Sequence, residues 1–478
     1  NRLSGVVSGF IGNNETFGEE LVVSGISDSV SFSLGQFHSE SDGFRSNNDV
    51  ENDLYDAFWQ LAISPKLGIQ VEYIDRDSEF GDLVLGVDPD SFSEARTGSR
   101  DEKIGRVGLT YRPTSYLTSL FSWIHAEQEV GDFFSFPPSS TFQVDNDDQS
   151  DLVEAQVIGT MDKHNFVVGG SHSMIDADRT IVNAFGPVPI VTTSEDKLSS
   201  SNGYFYAYNN SIEELSITLG LAINQVEESN FENSRVHPKL GLEWQPLSML
   251  RLRAAYFETM KKSQRTERTI EPTHVAGFNQ LFDETNGTRS QTFGVGVDGT
   301  LSGHIKMGAE FTVRKQERPF ISGGVADFHD ERDDILTGYV YVPLGHSLAL
   351  SLEPELRWFD SDEPLGSGAE ETRTFVLPLG IRYFHQSGLR FGIDANWIRQ
   401  DLEEFDNEPN ASFDEEFVTI DAGLAYRLPK RRGIISLEIR NLLDERFGFQ
   451  DDNFRSTRER EPRFVPDRTY FARATFNF

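Results

Sequence analysis

The sequence predicts an all-β protein, a transmembrane antiparallel up-and-down β-barrel of about 22 strands with short periplasmic turns and long extracellular loops, occupying residues 1–478 as one domain. Three observations predict it. Apolar and polar side chains alternate with period 2 along segments of about ten residues, the length at which a tilted strand crosses a bilayer. The joints between these segments alternate between short and long. The chain also closes on TYFARATFNF (469–478), an alternating strand with a terminal aromatic, where soluble chains commonly fray into polar residues.

Composition narrows the class. A net charge of −34 with 37 % hydrophobic residues suits a disordered acidic chain at first sight, but 38 Phe, 13 Tyr and 5 Trp are too many for a chain that buries nothing. Cysteine is absent, which removes disulfide frameworks and thiolate chemistry. No apolar run is long enough for a spanning helix. The excess of 77 acidic over 43 basic residues argues against nucleic acid as a partner. The opening NRLSGVVSGF carries no signal-peptide pattern and reads as mid-structure, which predicts an upstream portion.

The strands justify themselves by their two faces. In HIKMGAEFTVR, Ile305, Met307, Ala309, Phe311 and Val313 oppose Lys306, Gly308, Glu310, Thr312 and Arg314. In LRFGIDANW, Leu389, Phe391, Ile393, Ala395 and Trp397 oppose Arg390, Gly392, Asp394 and Asn396. SLALSLEPELRWF sets its leucines and Trp358 against Ser351, Glu353, Glu355 and Arg357, with Pro354 on the apolar face, where it weakens the ladder. Full charges on one face and none on the other fit hydrocarbon outside and a polar lumen inside.

Short joints fall at 27–29, 64–66, 112–115, 162–164, 211–214, 245–248, 301–304, 343–347, 385–388 and 429–433. Long polar joints fall between them, at 39–53, 76–102, 128–150, 177–201, 260–287, 317–332, 360–371, 401–415 and 447–468. Loop length sorted by side is the layout of an outer-membrane barrel, which a soluble sandwich has no reason to adopt. A soluble solenoid or propeller would also alternate, but no fixed repeat supports it. TYFARATFNF then pairs with the first strand and leaves no edge, with Tyr470, Ala472, Ala474, Phe476 and Phe478 toward lipid. Its terminal aromatic resembles the signal that bacterial outer-membrane barrels offer their assembly machinery.

The segment IISLEIRNLLDERFG (434–448) reads as the penultimate strand. Its Asn441, Leu442, Asp444, Arg446 and Phe447 resemble the "ENLFDKRY"-like segment of TonB-dependent receptors. The resemblance covers the chain as a barrel. It implies a bacterial outer-membrane location and a plug, although no TonB box or plug sequence is present. EPTHVAGFNQLFDETNG (271–287) resembles a loop of outer-membrane barrels preceded by periplasmic helical repeats. Either resemblance implies a plug or periplasmic module supplied upstream or by another chain, besides contact with outer-membrane lipid and lipopolysaccharide.

Candidate pore-lining residues follow from the alternation: Arg251, Arg253, Arg314, Arg357, Arg382, Arg390, Arg427, Arg440 and Arg473, with Glu243, Glu310, Glu353, Glu355, Asp394, Asp421 and Glu438 on the same face. They read either as a charged wall that guides a polar solute or contacts a plug, or as cross-strand pairs that neutralise one another. Phe133, Phe134 and Phe136, in a long joint, either contact an extracellular ligand or pack as a lid. The acids Asp145, Asp147 and Asp148, or Asp414, Glu415 and Glu416, offer oxygen ligands to divalent cations, yet match no defined calcium loop and read as solvated surface.

No catalytic residue, metal site or cofactor is expected. GVGVDG (294–299) matches G-x-G-x-x-G without a following helix or βαβ unit, and reads as lumen glycines entering a turn. The ten His show no metal-ligand spacing. Three functions remain: a receptor-like barrel passing a polar solute, an export pore for a polysaccharide or other polymer, and a surface barrel whose loops seal the pore.

Overall fold

In the computed structural model, residues 2–478 are described apart from 137–139, 187, 229–230, 267, 281–283, 323–324, 363–368, 406–411 and 452–460. Alternation along each segment lets every backbone pair with both neighbours, and 23 strand segments form one antiparallel sheet closed on itself. Leu348–Leu352 and Glu355–Ser361 are halves of one strand interrupted at Pro354, so the wall has 22 strands, numbered here β1–β22 in chain order. The interruption is local, because Pro354 lacks an N–H but its carbonyl still accepts from the Gly338 N–H at 2.8 Å. β1 (Arg2–Gly12) pairs with β22 (Thr469–Asn477) from Val6↔Asn477 to Gly12↔Phe471. Phe478 continues that ladder by exchanging both backbone hydrogen bonds with Gly5. The terminal strand therefore seals the seam.

All ten expected short joints are tight connections on one side of the wall. The two faces differ as sequence alternation requires. Outward lie Tyr55, Trp59, Leu61 and Ile63 on β4 (Val50–Ser64), and Phe293, Val295 and Val297 on β14 (Arg289–Leu301), all exposed. All five Trp (59, 123, 244, 358 and 397) share this outward exposure. A continuous apolar girdle of this size is unfavourable in water and matches the hydrocarbon band of a membrane barrel. Inward lie Tyr206, Phe257, Ile398 and Gln400, each wholly buried.

The joints on the other side depart from expectation. β7 (Leu117–Phe136), β8 (Ser140–Met161), β9 (His164–Asn183) and β10 (Ile190–Ile212) are paired far beyond the apolar girdle. Most of 128–150 and 177–201 is thus strand, and 317–332 is likewise paired up to Ser322 and from Val325. Above the girdle polar and apolar residues fall on both faces, so the one-sided alternation that reveals a strand disappears while its ladder continues. The middles of the joints at 360–371, 401–415 and 447–468 lie outside the described residues. The penultimate strand, β21, spans only Gly433–Arg440. Asn441 (φ 48°) turns the chain off the wall, its amide donating to the carbonyls of Glu445 and Val465 while its side-chain oxygen accepts from the Glu445 N–H.

The extended ribbons carry an acidic row. Register places Glu19, His38, Asp53, Asp77, Asp101, Glu129, Asp147, Asp178 and Glu195 directly opposite one another across nine consecutive strands. All of them lie on the outward face. Much of the negative charge expected in loops is therefore held on strands.

Candidate functional site

The described residues of 261–288, a joint expected as an outer loop, fold down into the lumen. The joint leaves β13 (Leu250–Met260) at the outer rim and rejoins the wall at β14. Between them a short ladder, His274–Val275 against Phe278–Asn279, turns through Ala276 (φ 48°) and Gly277 (φ 85°). That turn sits beside Arg253, close to the inner end of β13: a Cβ on Gly277 would lie 2.7 Å from an Arg253 guanidinium nitrogen. Arg253 and Met260 lie seven residues apart on β13, roughly 23 Å along the strand.

Small residues on the wall make room for it. A Cβ on Gly294 would stand 2.4 Å from a ring carbon of Phe278, and a Cβ on Gly241 3.0 Å from that of Ala276. Val275, Ala276 and Phe278 thereby join Tyr204, Tyr206, Ala222, Ala255 and Phe257 in one buried cluster. The Arg253 guanidinium covers Phe278 at 5.1 Å.

Polar contacts complete the seat. The Glu271 carboxylate accepts from Lys262 Nζ at 2.7 Å, Asn202 Nδ2 at 2.8 Å and the Tyr206 hydroxyl at 3.0 Å. Burial pushes the Glu271 carboxyl up, but Lys262, Lys239 and the Tyr206 hydroxyl outweigh it and hold it below the usual carboxylate range. Lys239 Nζ donates to Gln280 Oε1 at 2.6 Å, and the Ile270 N–H and Thr269 hydroxyl donate to Glu154 at 3.0 and 2.6 Å. Across the lumen, Arg268 pairs with Glu72, which also meets Arg106 at 3.3 Å. Glu284 pairs with Arg314 on the other flank. Sequence reasoning missed this segment because outer loops carry no directional signal; the inner-face glycines were its one readable trace.

A second inward fold covers the opposite wall. Leu85, Phe447, Phe449 and Phe464 bury against Val376, Ile398 and Phe417. Phe447, from the receptor-like segment, stacks on Phe417 at 3.8 Å and 3°. Gln400 and Gln450 exchange hydrogen bonds of 3.0 and 2.8 Å. Beside them lies a cavity of about 330 Å³ that brings Glu438, Arg440 and Arg473 together with Phe10, Phe37 and Phe471.

Most of the other candidate pore residues sit in cross-strand charge pairs. Arg251 meets Asp298 at 3.1 Å and Glu243 at 3.6 Å, and Arg253 meets Asp298 and Glu310 at 3.0 Å each. The Tyr339 hydroxyl donates to Asp298 at 2.9 Å. Arg357 grips Asp333 through two nitrogens at 2.9 and 2.8 Å, Arg382 meets Asp394 at 2.7 Å, and Glu355 meets Arg463 at 3.0 Å. Arg390, Arg440 and Arg473 instead cover the rings of Phe384, Phe471 and Phe10 at 5.9, 5.4 and 5.0 Å. Asp421 accepts the Asn441 N–H at 2.8 Å. Glu353 and Arg427 contribute backbone hydrogen bonds to Pro378 and Gly388.

Phe133, Phe134 and Phe136 belong to β7 and not to a loop. Phe134 and Phe136 cluster with Phe142 and Phe185 at centroid separations of 5.4–6.5 Å, whereas Phe133 is on the other face of the strand. Alternation likewise divides both acidic triplets: Asp148 turns inward to Arg265 at 2.8 Å, away from Asp145 and Asp147, and Glu415 lies on the opposite face from Asp414 and Glu416. Register instead gathers His38, Glu51 and Asp53, whose ligand atoms lie within 4.8 Å of one another, a set invisible to linear spacing.

No protein-family model and no curated protein sequence matches the chain. Solved structures do. The copper transporter OprC superposes with TM-score 0.78 at 11 % identity, over all of this chain and 80 % of that one. The siderophore receptor PiuA from Acinetobacter baumannii gives 0.76 at 12 %, over all of this chain and 82 % of that one. The ferripyoverdine receptor of the outer membrane of Pseudomonas aeruginosa gives 0.72 at 14 %, over all of this chain and 72 % of that one. The fold of this chain is the closed 22-strand membrane barrel that these receptors and transporters share.

Proposed function

We propose that the protein is an outer-membrane transport barrel of the TonB-dependent receptor type, passing a polar solute and performing no catalysis. One observation carries the reading: a closed 22-strand wall, apolar outside and lined with charge inside, whose lumen is occupied by its own chain. The likeness in fold to siderophore and copper receptors supports it. The charge pairs on the wall present a polar but near-neutral surface, which suits a hydrated solute better than a bare ion of either sign. In this reading a plug or periplasmic module, from upstream sequence or another chain, completes the machine and couples it to TonB. Lipopolysaccharide surrounds it, and the outer-membrane assembly machinery recognises its terminal strand. Uptake by outer-membrane vesicles, with and without the complete gene product, tests it: solute entry is expected, and permeability no higher than that of protein-free vesicles contradicts it.

The inward folds favour one second reading, a surface barrel sealed by its own loops. Solute entry through the intact barrel separates the two, since a barrel sealed by its loops passes solute only after their removal.

A further inference from the structure

The described residues of the segment 261–288 fill part of the lumen, yet the segment is covalently held only at the rim, by Met260 and Arg289. We infer that it is a gate: it seats on the inner wall in the closed state and swings outward to open the lumen. This inference rests on the transport reading above.

Three features point to a seat that can be left. The apolar part of the contact is confined to Val275, Ala276 and Phe278 and lodges where glycines replace side chains, at Gly241 and Gly294. The rest is polar, built on Glu271 and its wall partners Asn202 and Tyr206, groups that water can satisfy once the segment departs. Finally, the His237 ring, on the inward face two residues from Lys239, is buried with neither nitrogen hydrogen-bonded. An unpaired buried polar group disfavours the state that buries it, so hydration of His237 on opening offsets part of the lost contact. Irregular segments of this length inside a compact fold are uncommon unless they serve function.

The absence of cysteine permits a direct test. Gly241→Cys with Ala276→Cys places two sulfur-bearing side chains where a Cβ on Gly241 lies 3.0 Å from that of Ala276, so the segment need retreat only about half an ångström to reach the separation a disulfide adopts. The double variant is inserted into planar bilayers, oxidised and then reduced, beside the parent chain and a variant lacking residues 263–286. Oxidation is expected to consume both thiols and to lower mean conductance roughly tenfold, the change produced by moving a half-open gate to nearly shut. Reduction restores it, and the parent chain does not respond to either treatment. Equal conductance of the oxidised and reduced forms, or failure of the thiols to join in the folded barrel, overturns the gate while leaving transport intact. A folded, inserted deletion variant that conducts nothing overturns the transport reading itself.

Discussion

Phe278 presses its ring onto Gly294, so that a Cβ at residue 294 would stand 2.4 Å from it. The glycine, which a short sequence motif would assign to a nucleotide loop, is the place where the lumen segment touches its wall. A Gly294→Leu substitution overfills that contact and should expel the segment without disturbing the outward face. Conductance several-fold above the parent is expected, with an unchanged far-UV spectrum. Adding Phe278→Ala removes the ring and should return the barrel toward its closed state. A Gly294→Leu barrel that conducts like the parent would show that the contact does not restrain the segment.

Acid should release the same segment. The partners of Glu271 hold its carboxyl below its ordinary value of 4.5. A lowered native pKa contributes stability above the unfolded value, and that contribution is lost as pH falls through the native one. The part of any acid-induced rise in conductance that Glu271 controls is therefore expected only below pH 4.5. Glu271→Gln should raise conductance at neutral pH and remove the part of the acid response that lies below pH 4.5. A rise centred near neutrality would assign the transition to another group.

The wall's own charge pairs should matter for stability. Asp333 is almost fully buried and held by two nitrogens of Arg357. Arg357→Met leaves that carboxylate uncompensated, an expected loss of about 3–5 kcal/mol. The double variant Arg357→Met/Asp333→Leu should recover much of it. Urea unfolding in detergent measures both, and additive losses would argue that the two residues act separately.

The acidic row predicts the opposite sign. Asp77 and Asp101 face each other directly, and each is flanked by a further carboxylate along the row. Asp77→Asn should raise Tm, because opposed like charges destabilise a sheet by a few tenths to about 1 kcal/mol per pair. The gain should shrink as salt is added. A lower Tm at every ionic strength would mean that the row is stabilised by something other than its own electrostatics.

The barrel was legible in the sequence because a wall strand must show hydrocarbon on one side and water on the other. Ile305 to Arg314, Leu389 to Trp397 and Tyr470 to Phe478 carry that requirement residue by residue. Pro354 was readable for the same reason, since a missing N–H in an apolar row announces a break. Legibility ended where the two faces stopped differing. Asp145 to Asp151 is polar on both sides and the phenylalanines before it fall on both faces, so the ladder there resembled a loop, and Asn441 ends β21 inside what looked like a continuous strand. The site was less readable than the wall. Arg251 and Arg253 were recognised as one charged face, but their shared partner Asp298 was seen only as part of a glycine motif. Glu271 meets Asn202 and Tyr206 from more than sixty residues away, a contact set by the inward fold of the segment.

The membrane claim is tested most directly by tryptophan emission. All five tryptophans, Trp59, Trp123, Trp244, Trp358 and Trp397, lie on the outward surface. Reconstituted in vesicles of bromine-bearing phospholipids, the protein should lose most of its fluorescence relative to ordinary phospholipid. Emission that is unchanged by bromine in the acyl chains would place those residues away from lipid and contradict the account.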